Sequence, residues 1–388
     1  MTTGLNLYFD NAATSWPKPE AVYRAPERQM REFSGNPGRS GHTHTLNADR
    51  LIYRTREAVG QLFNIHDPSR IVFALNATDA LNIAIKGFLN QGDHVLFSAL
   101  DHNSVLRPLG RLKHDGIIET TMIPSSKEGL LDLEQLENLY RPNTKLMIIN
   151  HASNVTGTIA PLKKMIASAH GKGVRVLVDA AQTAGAIPID VYAEDIDMLA
   201  FTGHKGLLGP TGTGGLYVRK GIDLKSYREG GTGSKSESDI HPETMPERLE
   251  AGTLNSAGLA GLLEGIIFIL ETGINNIRRT ENTTRTKICN RLVDLKRVKL
   301  YGPQTENDHT VAVISFTIND TDCGEIGYIL ENTYGILCRT GLHCAPFAHQ
   351  AIGTFPQGTI RLSPGFFTTD QDLDYLIKAL KEIIDLVS

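Results

Sequence analysis

Lys205 stands where a lysine would lose its charge. It follows the apolar run that ends in Phe201-Thr202-Gly203-His204 and precedes Gly206, Gly209 and Gly212, which permit close backbone approach. A buried lysine releases its proton easily, and the neutral amine can attack an aldehyde to form an imine. Taken alone, Gly203-His204-Lys205-Gly206 reads better as a surface lysine in a glycine turn. Two further stretches tip the balance. Val176-Leu177-Val178-Asp179 ends an apolar run on a carboxylate, a partner able to keep a pyridine nitrogen protonated. Asn76-Ala77-Thr78-Asp79 joins a strand pattern to a helix pattern, so backbone N–H groups and the Thr78 hydroxyl would face an anion such as a phosphate. An imine-forming lysine, a carboxylate for a ring nitrogen and a phosphate cradle together match the needs of pyridoxal 5'-phosphate.

That cofactor stabilises a carbanion at the substrate Cα whether transamination, elimination or desulfuration follows, so the choice of reaction must lie elsewhere. Cys338-Arg339-Thr340-Gly341-Leu342-His343-Cys344 places a thiol beside an arginine and a histidine, two donors that favour the thiolate. Cys344 is therefore the candidate nucleophile. The competing reading is a buried, inert thiol, which is the expectation for Cys289, Cys323 and Cys338. Four cysteines in 388 residues make no disulfide framework, and none has the CxxC spacing of a zinc site, so no metal is expected.

The elements that must position these groups are legible in outline. Residues 70–220 alternate β-branched runs with helix-like stretches, the pattern of βα units in a mostly parallel sheet. Strands are expected at 70–74, 94–98, 144–150, 174–179, 197–202 and 214–219. Asn76 and Thr78, Asp101 and His102, Asn154, Asp179 and Gln182, and His204 with Lys205 collect where these runs end. In open α/β sheets ligands bind outside the carboxyl ends of the strands, so the clusters would converge on one site. A polar stretch at 230–246 reads as a surface loop, and 257–281 as one long helix leaving the first lobe. Beyond it a strand at 311–318, a helix at 324–334, a strand at 359–363 and a terminal helix opened by Thr368 or Thr369 suggest a smaller α+β lobe.

With 388 residues and 40% hydrophobic content, the chain can bury one large core and a second smaller one. A net charge of -4 with scattered basic residues offers no general attraction to nucleic acid. The first ten residues carry neither a basic nor a long apolar segment, and 262–270 is too short to span a bilayer. A cytoplasmic protein with no membrane partner is expected.

From Tyr8-Phe9-Asp10-Asn11-Ala12-Ala13-Thr14 to the region of Arg361, the sequence resembles the cysteine desulfurase branch of the class V aminotransferases. The most specific segments are Asn11-Ala12-Ala13-Thr14, Ser153-Asn154-Val155-Thr156-Gly157-Thr158, Asp179-Ala180-Ala181-Gln182, Thr202-Gly203-His204-Lys205 and Glu250-Ala251-Gly252-Thr253. The resemblance implies the α/β architecture of PLP-dependent transferase fold type I. A large, mostly parallel α/β domain would span 17–258, and a smaller α+β domain 259–388, joined by the N-terminal segment 1–16. Pyridoxal 5'-phosphate is the implied cofactor, bonded to Lys205, with Asp179 on the pyridine nitrogen, Gln182 on the ring oxygen and His102 stacked on the ring. Ala77, Thr78, Thr202 and His204 match the phosphate-holding group. Thr253 matches a threonine that reaches the phosphate held by the neighbouring subunit, which implies a homodimer. Ala13, Asn154, Arg339 and Arg361 fall at cofactor-proximal and substrate positions, and the two-pronged guanidinium of Arg361 suits a substrate carboxylate.

The stretch from Arg339 to Cys344 is similar to the RxGxxC loop of group II desulfurases, the type working in the SUF iron-sulfur pathway. Leu342 departs from the two consecutive histidines usual there, which suggests a divergent subfamily. The implied activity turns L-cysteine into L-alanine, with Lys205 as the base at Cα, and leaves a persulfide on Cys344 for an acceptor protein. Two other readings keep the fold and cofactor without a persulfide: a lyase acting on L-selenocysteine, and an aminotransferase. A non-enzymatic nucleotide-binding or scaffold protein would use Gly206, Gly209, Gly212, Gly214 and Gly215. Neither G-x-x-x-x-G-K-[ST] nor a complete GxGxxG in a strand-turn-helix context supports it.

Overall fold

The computed structural model describes residues 7–38, 41–235, 237–303 and 309–386. Strand β1 (Leu7–Tyr8) opens the described chain, followed by helices α1 (Glu20–Glu32) and α2 (Thr43–Phe63). Runs rich in Val, Ile and Leu then supply β2 (Ile71–Ala74), β3 (Asp93–Ser98), β4 (Ile118–Ile123), β5 (Thr144–Asn150), β6 (Arg175–Asp179), β7 (Met198–Thr202) and β8 (Gly214–Val218). They form one sheet in the order β2-β8-β7-β6-β5-β3-β4, in which only β8 runs antiparallel to its neighbours. Parallel neighbours need long crossovers, and α3 (Ala77–Phe88), α4 (Asn103–His114), α5 (Leu133–Leu139) and α6 (Leu162–Gly171) lie in them. Side chains alternate along each strand, so the sheet has two apolar faces. Val176 and Val178 join Phe63, Met165 and Phe201 in one core, while Leu177 joins Leu81, Ile85 and Val105 in the other. With both faces covered, the strand ends are left for ligands.

The six expected strands are all present in this sheet. β4 is the one that the sequence did not reveal: Glu119, Thr120 and Thr121 deny it an apolar run, as suits an edge strand. The single helix expected at 257–281 is corrected to two, α7 (Ser256–Thr272) and α8 (Ile274–Val293), which meet at 85°. Gly273 sits between them at φ +82, a conformation open to glycine that ends α7 and redirects the chain. α7 packs on α1 and α2, as part of the large core. The stretch 230–246 contains no helix or strand among its described residues.

After α8 come β9 (Val298–Tyr301), β10 (Ile314–Ile318), α9 (Cys323–Tyr334), β11 (Ile336–Leu337), β12 (Arg339–Gly341), α10 (Pro346–Ile352), β13 (Thr359–Leu362) and α11 (Asp370–Leu386). The strands β12-β13-β10-β9 make an antiparallel sheet. Its apolar side chains, among them Phe316, Ile360 and Leu362, share a separate core with Leu330 of α9 and Leu376 and Leu380 of α11. Thr369 and Asp372 cap α11 reciprocally, each backbone N–H donating to the other's side chain at 2.8 and 3.2 Å.

The N-terminal segment ties the two bodies together. β1 pairs with β11, and Asp10 bridges Ser363. On the other side Gln182 Nε2 donates to Ala12 O at 3.0 Å, and Thr14 Oγ1 donates to His204 O at 3.0 Å. Residues 1–6 of the predicted segment 1–16 lie outside the described residues. Among the described residues no single helix is long and apolar enough to cross a membrane.

One close approach stiffens the turn that carries Lys205. Gly185 has φ +83, and a Cβ there would lie 2.3 Å from Gly206 O. Gly185→Ala is expected to cost about 2–4 kcal/mol of stability, read as a lower denaturant midpoint with an unchanged slope. An unchanged midpoint would show that the turn yields freely.

Candidate active site

The carboxyl ends of β2, β3, β5, β6 and β7 open onto one cavity. Each delivers its side chain at the turn into the next segment. After β2, Asn76 Oδ1 accepts from Asp79 N at 3.0 Å and caps α3, which puts Ala77 and Thr78 on the cavity wall. After β3, His102 caps α4: Nδ1 accepts from Ser104 N at 3.1 Å and lies 2.8 Å from Ser104 Oγ. Ser104 Oγ in turn meets Thr78 Oγ1 at 2.7 Å. An Nδ1 that accepts a backbone N–H leaves the ring proton on Nε2. Burial, reinforced by Lys205, pushes His102 down to about 4, so the imidazole is neutral at neutral pH.

Asp179 ends β6 at 3% exposure, with Oδ1 accepting from Ala181 N at 2.9 Å. Burial raises its pKa, opposed by the Ala181 N–H and by Lys205. Gln182 lies one turn further on and also faces the cavity. Thr202 ends β7, and His204 and Lys205 follow it onto the same wall. Burial, with Arg361 adding to it and Asp179 opposing, pushes Lys205 down to about 8. Burial likewise takes His204 down to about 4.

The second lobe contributes Arg339 from β12 and Arg361 from β13, register partners across the sheet, and the N-terminal segment contributes Ala13. Arg361 is fully buried. Its Nη2 donates to Asp10 Oδ1 at 2.7 Å and its Nη1 to Asn154 O at 3.2 Å, while Nε has no partner. Asn154, after β5, donates Nδ2 to His343 O at 2.7 Å and leaves Oδ1 unpartnered. Arg339 Nη2 donates to Cys344 Sγ at 3.4 Å, placing the half-buried thiol beside a residue of the cavity wall. Cys344 O accepts from Asn103 N at 2.8 Å, next to His102.

One expectation changes. His343 does not flank the thiol: its ring turns inward at 2% exposure, with Nε2 3.0 Å from Thr359 Oγ1. The reason is a loop in which His343 (φ +47) and Cys344 (φ +59) are both left-handed, sending the ring into the lobe and the thiol to Arg339. Thr253 lies outside the cavity of its own chain and donates to Asn36 Oδ1 at 3.2 Å near the surface. Of the other predicted residues, Ala13, Ala77, Thr78, His102, Asn154, Asp179, Gln182, Thr202, His204, Lys205, Arg339 and Arg361 share the cavity, while Cys344 does not line it and meets it through Arg339. Burial pushes Cys338 up to about 12 and raises Cys289 and Cys323, so these thiols are poor nucleophiles.

Sequence reasoning missed Ser104 and Asp10. Ser104 could have been found from its place two residues after His102 at a helix start. Asp10 had no local signal, because its partner Arg361 is 351 residues away.

The cavity fits pyridoxal 5'-phosphate. Thr202 Oγ1 and His204 Nδ1 are buried polar atoms without partners, near the first turn of α3, where an anion would find N–H groups and the Thr78 hydroxyl. Asp179 is a buried carboxylate with no ion-pair partner among the described residues, the complement of a protonated ring nitrogen.

The fold is that of the type I PLP-dependent transferases, mixed α/β with a large, mostly parallel sheet. The chain belongs to the class-V aminotransferase family, whose model matches residues 7–376. A relative named probable cysteine desulfurase from Methanothermobacter thermautotrophicus is 32% identical over 384 residues, covering 97% of this chain and 94% of its own. A cysteine desulfurase from Escherichia coli strain K12 / DH10B is 33% identical over 390 residues, with 98% and 94% covered. The apo cysteine desulfurase of Thermococcus onnurineus NA1 superposes with a TM-score of 0.90 at 29% identity, covering 98% of this chain and 94% of that one. The Escherichia coli cysteine desulfurase CsdA, solved as the S-sulfonic acid, gives a TM-score of 0.87 at 28% identity with the same coverage.

Only the neutral amine of Lys205 can bond an aldehyde, and its pKa is held near 8. The rate of pyridoxal phosphate uptake by cofactor-free protein is therefore expected to rise roughly tenfold per pH unit below about 8 and to level above it. Stopped-flow absorbance measures this. A flat profile would mean that another step or group limits uptake.

Proposed function

We propose that this protein is a pyridoxal-phosphate-dependent cysteine desulfurase that converts L-cysteine to L-alanine and carries the sulfur as a persulfide on Cys344. The observation that carries the reading is the contact of Arg339 with Cys344 Sγ, at the cavity that Lys205 and Arg361 share. The likeness to cysteine desulfurases over nearly the whole chain supports it.

Lys205 is assigned the cofactor bond, Asp179 the ring nitrogen, Gln182 the ring oxygen, and His102 the ring face. Ala77, Thr78, Thr202 and His204 would hold the phosphate, joined by Thr253 from the second subunit of a homodimer. When bound, the group supplies an electron-poor, positively charged ring that takes up charge from the substrate Cα. Arg361 has an unpartnered Nε to offer a substrate carboxylate, with Asn154 and Ala13 bounding the space. A pKa near 8 leaves Lys205 able to accept the Cα proton at neutral pH and to return it. Cys344 Sγ then attacks the substrate sulfur. An S–S bond forms, the C–S bond breaks, and its electron pair goes to the carbon, which takes up a proton to become the methyl group of alanine. The Arg339 guanidinium steadies the negative charge on Sγ while this happens.

The persulfide would pass to a small acceptor protein serving iron-sulfur assembly in the cytoplasm. The division into 17–258 and 259–388 with 1–16 is part of the same proposal. The packing of α7 against α1 and α2 favours moving its boundary to the bend at Gly273.

Incubation with L-cysteine without reductant should yield free alanine and a mass increase of one sulfur on the peptide containing Cys344. Cys344→Ala should keep the bound cofactor and lose sulfide release by at least about a hundredfold. Alanine formed at the wild-type rate by that variant would redirect the assignment to a lyase acting without a persulfide. Arg361→Ala should raise KM for cysteine by roughly 10- to 100-fold, as loss of a charged two-point contact predicts.

A further inference from the structure

The loop that carries Cys344 is held from beneath. His343 and Cys344 are consecutive non-glycine residues at φ +47 and +59, a costly arrangement that the surroundings must enforce. The holding contacts are few and specific. His343 Nε2 meets Thr359 Oγ1 at 3.0 Å, on the strand that also carries Arg361. Asn154 Nδ2 donates to His343 O at 2.7 Å, and Asn103 N donates to Cys344 O at 2.8 Å. The His343 ring also packs against the fully buried His349, with centroids 5.4 Å apart. Thr359 and Arg361 are two residues apart on β13 and point to the same face.

We propose that His343 is a positioning residue: through Thr359 it fixes the Cys344 thiol relative to Arg361, the carboxylate anchor. The inference rests on the desulfurase reading of Cys344. The ring bonds Thr359 through Nε2, makes no hydrogen bond to the thiol through Nδ1 and does not line the cavity, so no proton path joins it to the nucleophile. Its effect must therefore fall on sulfur transfer and spare the earlier step at Cα, which needs Lys205 and Arg361.

Cofactor-loaded wild type, His343→Ala, His343→Asn, Thr359→Val and Cys344→Ala separate these steps. Exchange of the Cα proton of L-alanine with deuterated solvent reads Lys205. Single-turnover mass spectrometry reads persulfide on Cys344. Expected for His343→Ala and Thr359→Val is Cα exchange within about twofold of wild type and persulfide formation slowed about tenfold to a hundredfold, the cost of a misplaced nucleophile. Amide exchange over 341–345 should speed up in Thr359→Val without cofactor, which registers release of the loop independently of activity. Asparagine tolerates the left-handed backbone and keeps a polar side chain, so His343→Asn should recover part of the rate. A double variant combining His343→Ala with Thr359→Val should be little slower than His343→Ala alone, because both changes remove one contact.

Wild-type persulfide rates in His343→Ala and Thr359→Val would overturn the inference, as would equal losses in exchange and persulfide formation. A shifted pH profile for Cys344 alkylation in His343→Ala would overturn it too, by making the imidazole an acid-base partner. If His343→Ala does not fold, Thr359→Val decides alone. Undiminished sulfide release by Cys344→Ala would instead defeat the desulfurase reading itself.

Discussion

An amine buried at the end of β7 can stay reactive only if its surroundings make the ammonium form unwelcome without replacing it by a fixed ion pair. Lys205 meets that condition through burial and the like charge of Arg361, and Asp179 opposes without cancelling the effect. The same desolvation acts on three neighbours: it keeps His102 and His204 neutral and raises Asp179. The cavity thus holds two neutral imidazoles and an amine that gives up its proton more readily than an exposed lysine would. Such preorganisation is worth most where water is excluded, because charge interactions strengthen in a low dielectric.

Arg361 poses the opposite problem. Its guanidinium is fully buried, and a buried cation needs a counter-charge. Asp10 supplies one at 2.7 Å and is itself attached to both lobes, through its bridge to Ser363, the strand before it and the segment that follows. The arginine that would receive the substrate carboxylate is therefore oriented by the N-terminal segment, while Nε remains unpaired. Pairing through one edge of the guanidinium leaves donors elsewhere, which is what a planar, five-donor group permits and a lysine ammonium would not.

The strand ends were legible because their signal is local. Apolar runs ending on Asp179, on Asp101-His102 or on His204-Lys205 carry both the strand and its functional residue within a few positions. β4 escaped because an edge strand need not be apolar, and the break at Gly273 escaped because a glycine within helical periodicity is ambiguous until packing bends it. The Asp10–Arg361 pair and the inward turn of His343 were invisible for a different reason. The first depends on a contact across nearly the whole chain, and the second on backbone dihedrals that composition does not encode. Adjacency of a histidine and a cysteine predicted a shared environment, yet consecutive left-handed residues gave them separate ones.

The same loop explains how Leu342 can stand where a histidine is usual. Leu342 contributes through its backbone: its carbonyl accepts from Ala345 N at 2.9 Å and closes the turn around Cys344. Any L-residue can make that bond. The contacts that place the thiol come from Arg339, His343, Asn154 and Asn103, all of which are present. Replacing an imidazole by an isobutyl group at position 342 therefore leaves these contacts intact.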